Sequence, residues 1–234
     1  MAETRLRADG RMADQLRPVR LVKEFMPHPL GSVLIGFGAT QVLCTVAVEL
    51  GIPKWQQPNR GWLTAEYRLL PAATQPRQSL RPSGRSEEIQ RLIGRSLRAS
   101  VDLEKMPGIT LVVDVDVLQA DGGTRTAGIT GGYGALVLAV QRLLSTGVLT
   151  VSPLQRAIAA VSVGLVDGEP ILDLNYLEDV AASVDLNVVM DQQLNLVELQ
   201  GTAEAEPFSR SQLNRMLDLA EKGISELFTH QPSP

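Results

Sequence analysis

The chain has 234 residues, 44% of them hydrophobic and 21% charged, a balance that excludes a disordered or fibrous protein and allows one good core, or two small ones sharing an interface. The only cysteine is Cys44, which excludes an internal disulfide, and the two histidines, His28 and His230, are too far apart in sequence to suggest a His/Cys metal site. The net charge of −4 hides a segregation: residues 1–100 carry 15 Lys+Arg against 8 Asp+Glu, and residues 101–234 carry 7 against 18.

A basic half suits contact with a polyanion, and an acidic half suits metal-binding carboxylates. The alternative is that the two halves attract each other, or a neighbouring subunit, and bind nothing else.

The stretch from Met1 to Arg20 is polar and Arg-rich. It has no apolar segment of the signal-peptide kind, so it reads as loop and a cytoplasmic location is expected. Ser32 to Phe37 and Gln41 to Val48 are β-type runs split by Gly38-Ala39, which predicts a hairpin. Cys44 lies within the second run and reads as a small buried hydrophobe. Ile52 to Gly61 reads as a loop and Trp62 to Tyr67 as a strand. Pro71 to Ser83 holds three prolines and reads as a long loop.

Ser86 reads as an N-cap with Glu87 and Glu88 in the first turn. Ile89, Leu92, Ile93, Leu97 and Val101 follow at helical spacing. Arg91 and Arg95 share a face off that stripe, either solvated or in contact with RNA or another subunit. Ile109 to Leu118 predicts a strand and Gly131 to Leu144 a helix. No apolar run reads as long enough to cross a bilayer. Ser152-Pro153 predicts a further helix start. Asp167-Gly168 between Ala160–Val166 and Pro170–Leu174 predicts a hairpin, as do Leu186–Met190 and Leu194–Leu199. The last helix is expected from Ser209, burying Leu213, Met216, Leu217, Ala220, Ile224, Leu227 and Phe228, with a frayed end from Gln231 to Pro234. The order predicts a mixed α+β fold in two loosely similar halves, 15–145 and 155–228.

Asp121-Gly122-Gly123-Thr124-Arg125-Thr126 sits between a predicted strand and a predicted helix. Glycines let backbone approach a ligand, and a following helix aims its first N–H groups and positive dipole end at the gap. Thr124 and Thr126 add hydroxyls, and Arg125 adds a planar fork suited to phosphate. The alternative is a plain turn with Thr as N-cap. Arg85, before the Arg-rich helix, offers a second anion-binding position or is a surface arginine. Asp179 and Asp185 are separated by small residues that allow a bend, so their carboxylates can meet and hold Mg²⁺ or Mn²⁺ or do acid–base work. An acidic surface loop is the alternative.

Taken together, Gln90 to Arg98, Gln119 to Thr126 and Leu186 to Met190 resemble the bacterial ribonuclease PH family. So do Gly10-Arg11, Gly61-Trp62 to Tyr67, and Val197 to Glu204 followed by Pro207-Phe208-Ser209. The resemblance runs from about residue 7 to 228. It implies a ribosomal-protein-S5-domain-2-like fold, with two βα halves packed into one compact unit. It implies phosphate-dependent 3′→5′ trimming of tRNA precursors and other RNA 3′ ends, with release of nucleoside diphosphates. Inorganic phosphate would be co-substrate, held by Arg85, Gly123, Thr124 and Arg125. Asp179 and Asp185 would hold a divalent metal and assist catalysis. A homo-oligomeric hexameric ring, a trimer of dimers with no membrane association, is also implied. Ala72 stands where the family usually has an arginine associated with tRNA binding; Arg68 and Arg77 stand nearby, and with Arg91 and Arg95 they are the RNA-binding candidates. The competing expectation is a non-catalytic RNA-binding subunit of an exosome-like ring.

Overall fold

A computed structural model describes residues 7–79, 81, 83–204 and 206–233. Residues 1–6 of the polar start, Leu80 and Pro82 of the 71–83 loop, and Pro234 of the tail lie outside the described residues.

The first half is a five-stranded sheet in the order β1-β2-β3-β5-β4, built from β1 (Val19–Lys23), β2 (Gly31–Phe37), β3 (Thr40–Leu50), β4 (Trp62–Leu69) and β5 (Ile109–Gln119). All its pairings are antiparallel except β4 with β5. A parallel pair needs a crossover, and α1 (Gly84–Arg98) supplies it. Strand β1 was missed in the loop reading. It is an edge strand, mostly half-buried, and so lacks a clean period-two signal.

The second half is a four-stranded antiparallel sheet in the order β7-β6-β8-β9. Its strands are β6 (Ile158–Val166), β7 (Glu169–Leu172), β8 (Val184–Asp191) and β9 (Leu196–Ala203). The short helix α3 (Tyr176–Ala181) connects β7 to β8, and α4 (Arg210–Phe228) covers the sheet. The β6–β7 turn carries Asp167 at φ 53° and Gly168 at φ 78°, the pair of positive angles a two-residue hairpin turn demands.

Helix α2 (Thr124–Ser145) packs on β2 and β3 of one sheet and on β6 of the other. The two halves therefore share one core, and the side chains along α2 are apolar nearly all round. Thr130 Oγ1 joins the halves directly, donating to Ala160 O at 3.2 Å and accepting from Ala160 N at 3.0 Å. By length and composition α2 is long and apolar enough to cross a membrane, which corrects the reading from short apolar runs. However, 78% of its most apolar window is buried inside the protein. Glycines make the close packing possible: a Cβ on Gly31 would stand 2.1 Å from Ala135 O of α2.

Three further expectations are corrected. The cap of α1 is Ser83, not Ser86; Ser86 is the reciprocating third residue of its capping box. No helix starts at Ser152-Pro153. Ser152 Oγ instead accepts from Leu154 N at 3.3 Å, and Leu154 pairs with Val101 as an isolated bridge, an arrangement in which the side chain competes with helix formation. The tail does not fray at Gln231: its Nε2 donates to Ile158 O at 2.9 Å and Thr130 O at 3.3 Å, and Pro232 is buried. The cap of α4 at Ser209 and its buried Met216, Ala220, Ile224 and Leu227 are as the spacing predicts, with Leu213, Leu217 and Phe228 partly buried against the same core. Cys44 is fully buried, and burial pushes its thiol well above the ordinary range.

Candidate active site

Strand β5 ends at Gln119 and α2 begins at Thr124, and the four residues between them hold a left-handed turn, with Gly122 at φ 75° and Gly123 at φ 65°. Glycine is required there for two reasons. The angles are left-handed, and a Cβ on Gly122 would stand 2.6 Å from Leu174 O in the second half. The close approach at Gly122 is thus to the chain's own backbone. Helices α1, α3 and α4 each carry a capping box, but α2 has no side-chain cap. Its leading N–H groups are left for another acceptor, at the positive end of the longest helix.

The side chains around this turn are held in place. Thr124 Oγ1 hydrogen-bonds the hydroxyl of Tyr67, on β4, at 2.8 Å. Thr126 is buried, and its Oγ1 turns back to Gly123 O at 2.9 Å, so it is a structural hydroxyl and offers no donor to a ligand. Arg125 Nη1 donates to Gln200 Oε1 of β9 at 2.8 Å, and Gln200 Nε2 donates to Glu88 Oε1 of α1 at 2.7 Å. Arg85 sits exposed in the first turn of α1.

One cavity of about 940 Å³ is lined by Arg85, Gly123, Thr124, Arg125, Asp179 and Asp185. The two acids reach it from different elements. Asp179 is on α3, whose cap Asn175 accepts from Glu178 N at 3.0 Å. That helix is tied to the glycine turn, because Asp121 Oδ1 accepts from Tyr176 N at 3.2 Å. Asp185 is on β8, between Gly164 of β6 and Thr202 of β9.

Burial raises both carboxyl pKa values, and the Asp179 charge adds to the rise at Asp185, which is pushed up to about 6. The positive charges of Arg85 and Arg125 pull both back down. The cations and the acids are therefore within electrostatic reach of one another. Asp185 Oδ2 accepts from Asn187 Nδ2 at 3.3 Å, while its buried Oδ1 has no hydrogen-bond partner. An orphaned carboxylate oxygen on an acid that feels a second carboxylate's charge is a donor set that a hard divalent cation fits. Among the described residues no group of three or more His, Cys, Asp or Glu forms a metal cage. Two carboxylates, oxygen donors only, suit Mg²⁺ or Mn²⁺, which keep waters and substrate oxygens as ligands, better than they suit zinc.

Arg17 and Asp173 were given no role in the sequence reading. Arg17 is 4% exposed and Asp173 1% exposed. Arg17 Nη2 lies 2.8 Å from Asp173 Oδ1, and its N and Nε donate to Oδ2 at 2.8 and 3.0 Å. Arg7 and Arg11 join the same cluster through Glu178, the Asp173 carbonyl and Gln15 O. Removing one partner of such a buried pair costs about 3–5 kcal/mol.

The four RNA-binding candidates fall in different places. Arg68 lines the cavity and pairs with Asp116, its register neighbour on β5. Arg95 is taken up by Glu198 of β9, with Nε to Oε2 at 2.7 Å. Arg91 stands exposed with Glu87 3.9 Å away, and Arg77 is exposed on the 71–79 stretch; neither lines the cavity. Arg81, which the sequence reading passed over, does line it. The missed residues Arg17, Tyr67 and Gln200 all act through contacts dozens of residues away in sequence, and no local pattern marks them.

Two family models match the chain: the 3′ exoribonuclease family domain 1 over residues 15–141 and domain 2 over residues 157–223. A ribonuclease PH of Synechococcus elongatus is 58% identical over 226 residues, covering 95% of each chain. A ribonuclease PH of Corynebacterium efficiens is 56% identical over 227 residues, covering 94% of this chain and 93% of its own. Among solved structures, the Archaeoglobus fulgidus exosome with RNA bound to the active site aligns with TM-score 0.83 at 23% identity, covering 96% of this chain and 92% of that one. Rice (Oryza sativa) Rrp46 aligns with TM-score 0.80 at 22% identity over 95% and 97% of the two chains. These alignments bear out the expected mixed α+β, S5-domain-2-like fold in two βα halves. With both family domains matched and relatives so similar along nearly their whole length, the chain belongs to the ribonuclease PH family of 3′ exoribonucleases.

Proposed function

We propose that this protein shortens RNA from the 3′ end by phosphorolysis, with tRNA precursors as substrates, and that the cavity between the two halves is where it does so. The activity is that of its family. The observation that carries the site is the meeting of Arg85 and Arg125 with Asp179 and Asp185 in one cavity.

In this reading the α2 N-terminus, Gly123, Thr124, Arg125 and Arg85 hold orthophosphate. An oxygen of that phosphate attacks the phosphorus of the last phosphodiester. A new P–O–P linkage forms, the bond to the 3′ oxygen of the preceding nucleotide breaks, and that oxygen gains the proton that the attacking hydrogen phosphate gives up. The products are a nucleoside diphosphate and RNA one residue shorter. Such a transfer depends on in-line positioning and charge neutralisation more than on covalent help from the protein. Tyr67 fixes the Thr124 hydroxyl, and Gln200 fixes the Arg125 fork. Both groups are therefore held in place before a nucleophile arrives.

Asp179 and Asp185 would hold Mg²⁺ or Mn²⁺. When bound, the ion would neutralise the scissile phosphate. Two bare carboxylates repel RNA phosphate, so a cation must intervene. Arg68 and Arg81, which line the cavity, and the exposed Arg77, Arg91 and Arg95 would supply salt-sensitive phosphate contacts.

We also propose a ring built as a trimer of dimers, in the cytoplasm. Leu50, Trp55, Leu177 and Val180 are 93%, 68%, 73% and 68% exposed, and large exposed apolar side chains of this kind suit subunit contacts.

The test is incubation with 3′-extended RNA, Mg²⁺ and phosphate. Nucleoside diphosphates should appear, and trimming should stop when phosphate is withheld. Monophosphate products would mean hydrolysis. Binding without turnover would point to a non-catalytic ring subunit, a reading that the presence of both arginines and both acids opposes.

A further inference from the structure

We infer that Arg17 is a positioning residue for phosphorolysis: it clamps the glycine turn of the first half to the second half and so sets the distance between the phosphate donors and the acidic pair. The inference rests on the phosphorolytic reading of the cavity and adds to it a residue outside the cavity.

The geometry is specific. One guanidinium serves three acceptor residues from the two halves of the chain. Its Nη1 donates to Asp121 O, its Nη2 lies 3.4 Å from Gly122 O, and its Nε and Nη2 hold both oxygens of Asp173. Asp121 and Gly122 lead directly into the donors Gly123 to Arg125. Asp173 leads into Asn175, the cap of the helix that carries Asp179. A Cβ at Gly123 would stand 3.0 Å from Arg17 Nη2, so the guanidinium lies directly against the turn.

The second half is held equally firmly at this point. Asp173 has φ 54°, a left-handed angle that non-glycine residues rarely adopt. Such a conformation persists only where the surroundings over-determine it. Here they do: Asp173 N donates to Ser162 O at 2.7 Å, Leu174 N donates to Ser162 Oγ at 3.2 Å, and the carbonyl of Asp173 accepts from Arg7 and Arg11 at 3.0 Å each. Arg7 and Arg11 touch Glu178 and the Asp173 backbone on the second half. Arg17 alone of the three reaches across to the glycine turn.

The probing variant is Arg17→Lys. It keeps a cation for Asp173, but one ammonium cannot span all three acceptors. Reaction rates are measured as functions of phosphate and of RNA, beside thermal melting. We expect the KM for phosphate to rise about 10-fold or more and kcat to fall, since small misplacement of reacting groups has effects of this size. The KM for RNA should stay within about twofold, because its track lies on other arginines. A role in stability alone would lower the folded fraction, hence apparent kcat, and leave the phosphate KM unmoved; that result overturns the inference. The double variant Arg17→Gln with Asp173→Asn removes the pair without stranding a buried charge. It should raise the phosphate KM as well, and a wild-type KM there also overturns the proposal. Arg125→Ala, run alongside, separates the two ideas. If it keeps phosphorolysis, the phosphate-site reading itself fails. If it abolishes phosphorolysis while Arg17→Lys has wild-type constants, only the clamp is wrong.

Discussion

Arg125 and Gln200 come from opposite halves of the chain, and the guanidinium Nη1 donates to the amide oxygen at 2.8 Å. The far end of the same amide donates to Glu88 on α1, so three elements fix one cation. Gln200→Ala should leave the fold intact at a cost in stability no greater than these two bonds, because the amide is only half-buried. A hydrogen bond to a charged group contributes about 1.5–3 kcal/mol. Loss of orientation at Arg125 should therefore raise the phosphate KM by about 10-fold, against a loss of about 100-fold or more for Arg125→Ala. Initial rates across a phosphate series would check both.

The Tyr67 hydroxyl has Thr124 Oγ1 as its partner at 2.8 Å. Tyr67→Phe keeps the buried ring and frees the threonine rotor. Thermal melting should show a loss of about 1 kcal/mol. Phosphorolysis should weaken by a few-fold, with the change in the phosphate term and not in the RNA term. An unaltered phosphate KM would mean that Thr124 takes no part in holding the nucleophile.

Gly122→Ala has no room. The left-handed angle alone costs about 1–2 kcal/mol, and the new methyl would stand 2.6 Å from Leu174 O and 2.8 Å from the Asn175 carbonyl carbon. The turn and α3 must part, which separates the donors from Asp179. Activity should fall by more than the folded fraction does, as judged by circular dichroism on the same samples.

Asp185→Asn should destroy turnover and yet stabilise the metal-free protein. The wild-type carboxyl is raised from 3.8 to about 6 on folding. A raised carboxyl pKa means that the folded state binds the proton more tightly, so stability is fully present below about pH 4 and is lost as pH rises through about 6. The amide avoids that loss. Its advantage in chelator-treated samples should be absent at pH 4, grow between pH 4 and 6, and level off above at no more than about 3 kcal/mol. Added Mg²⁺ should raise the wild-type melting temperature at pH 8 and leave the variant's alone. Equal Mg²⁺ responses would remove Asp185 from the metal site.

Local chemistry explains what could be read without coordinates. Asp167-Gly168 announces its turn because the pair of positive φ angles suits those residue types. The stripe Ile89, Leu92, Ile93 and Leu97 announces α1, and all four are buried. The cap was displaced by three residues because a capping box with serine at both ends looks alike from either side. Helix α3 was not legible: six residues with no buried side chain carry no periodic signal, although Asp179 rides on it. Ser152-Pro153 misled because Pro after Ser suits a tight turn as well as a helix start. The glycine turn into α2 could be read from Gly122 to Arg125, since its parts are contiguous. Its supports could not, since Arg17 finds its partner 156 residues away and Arg125 finds its own 75 residues away.

The placement of α2 sets a limit on how this chain can be divided. Its two flanks are covered by different sheets, and the Thr130–Ala160 bonds and the docked Gln231 close the seam. A fragment ending after residue 145 would present to water a bare oily flank that only the missing portion can cover. Genes for the separate pieces would yield products that precipitate alone and regain solubility on co-expression. Shuffling one portion onto a foreign partner would demand rebuilding that flank residue by residue.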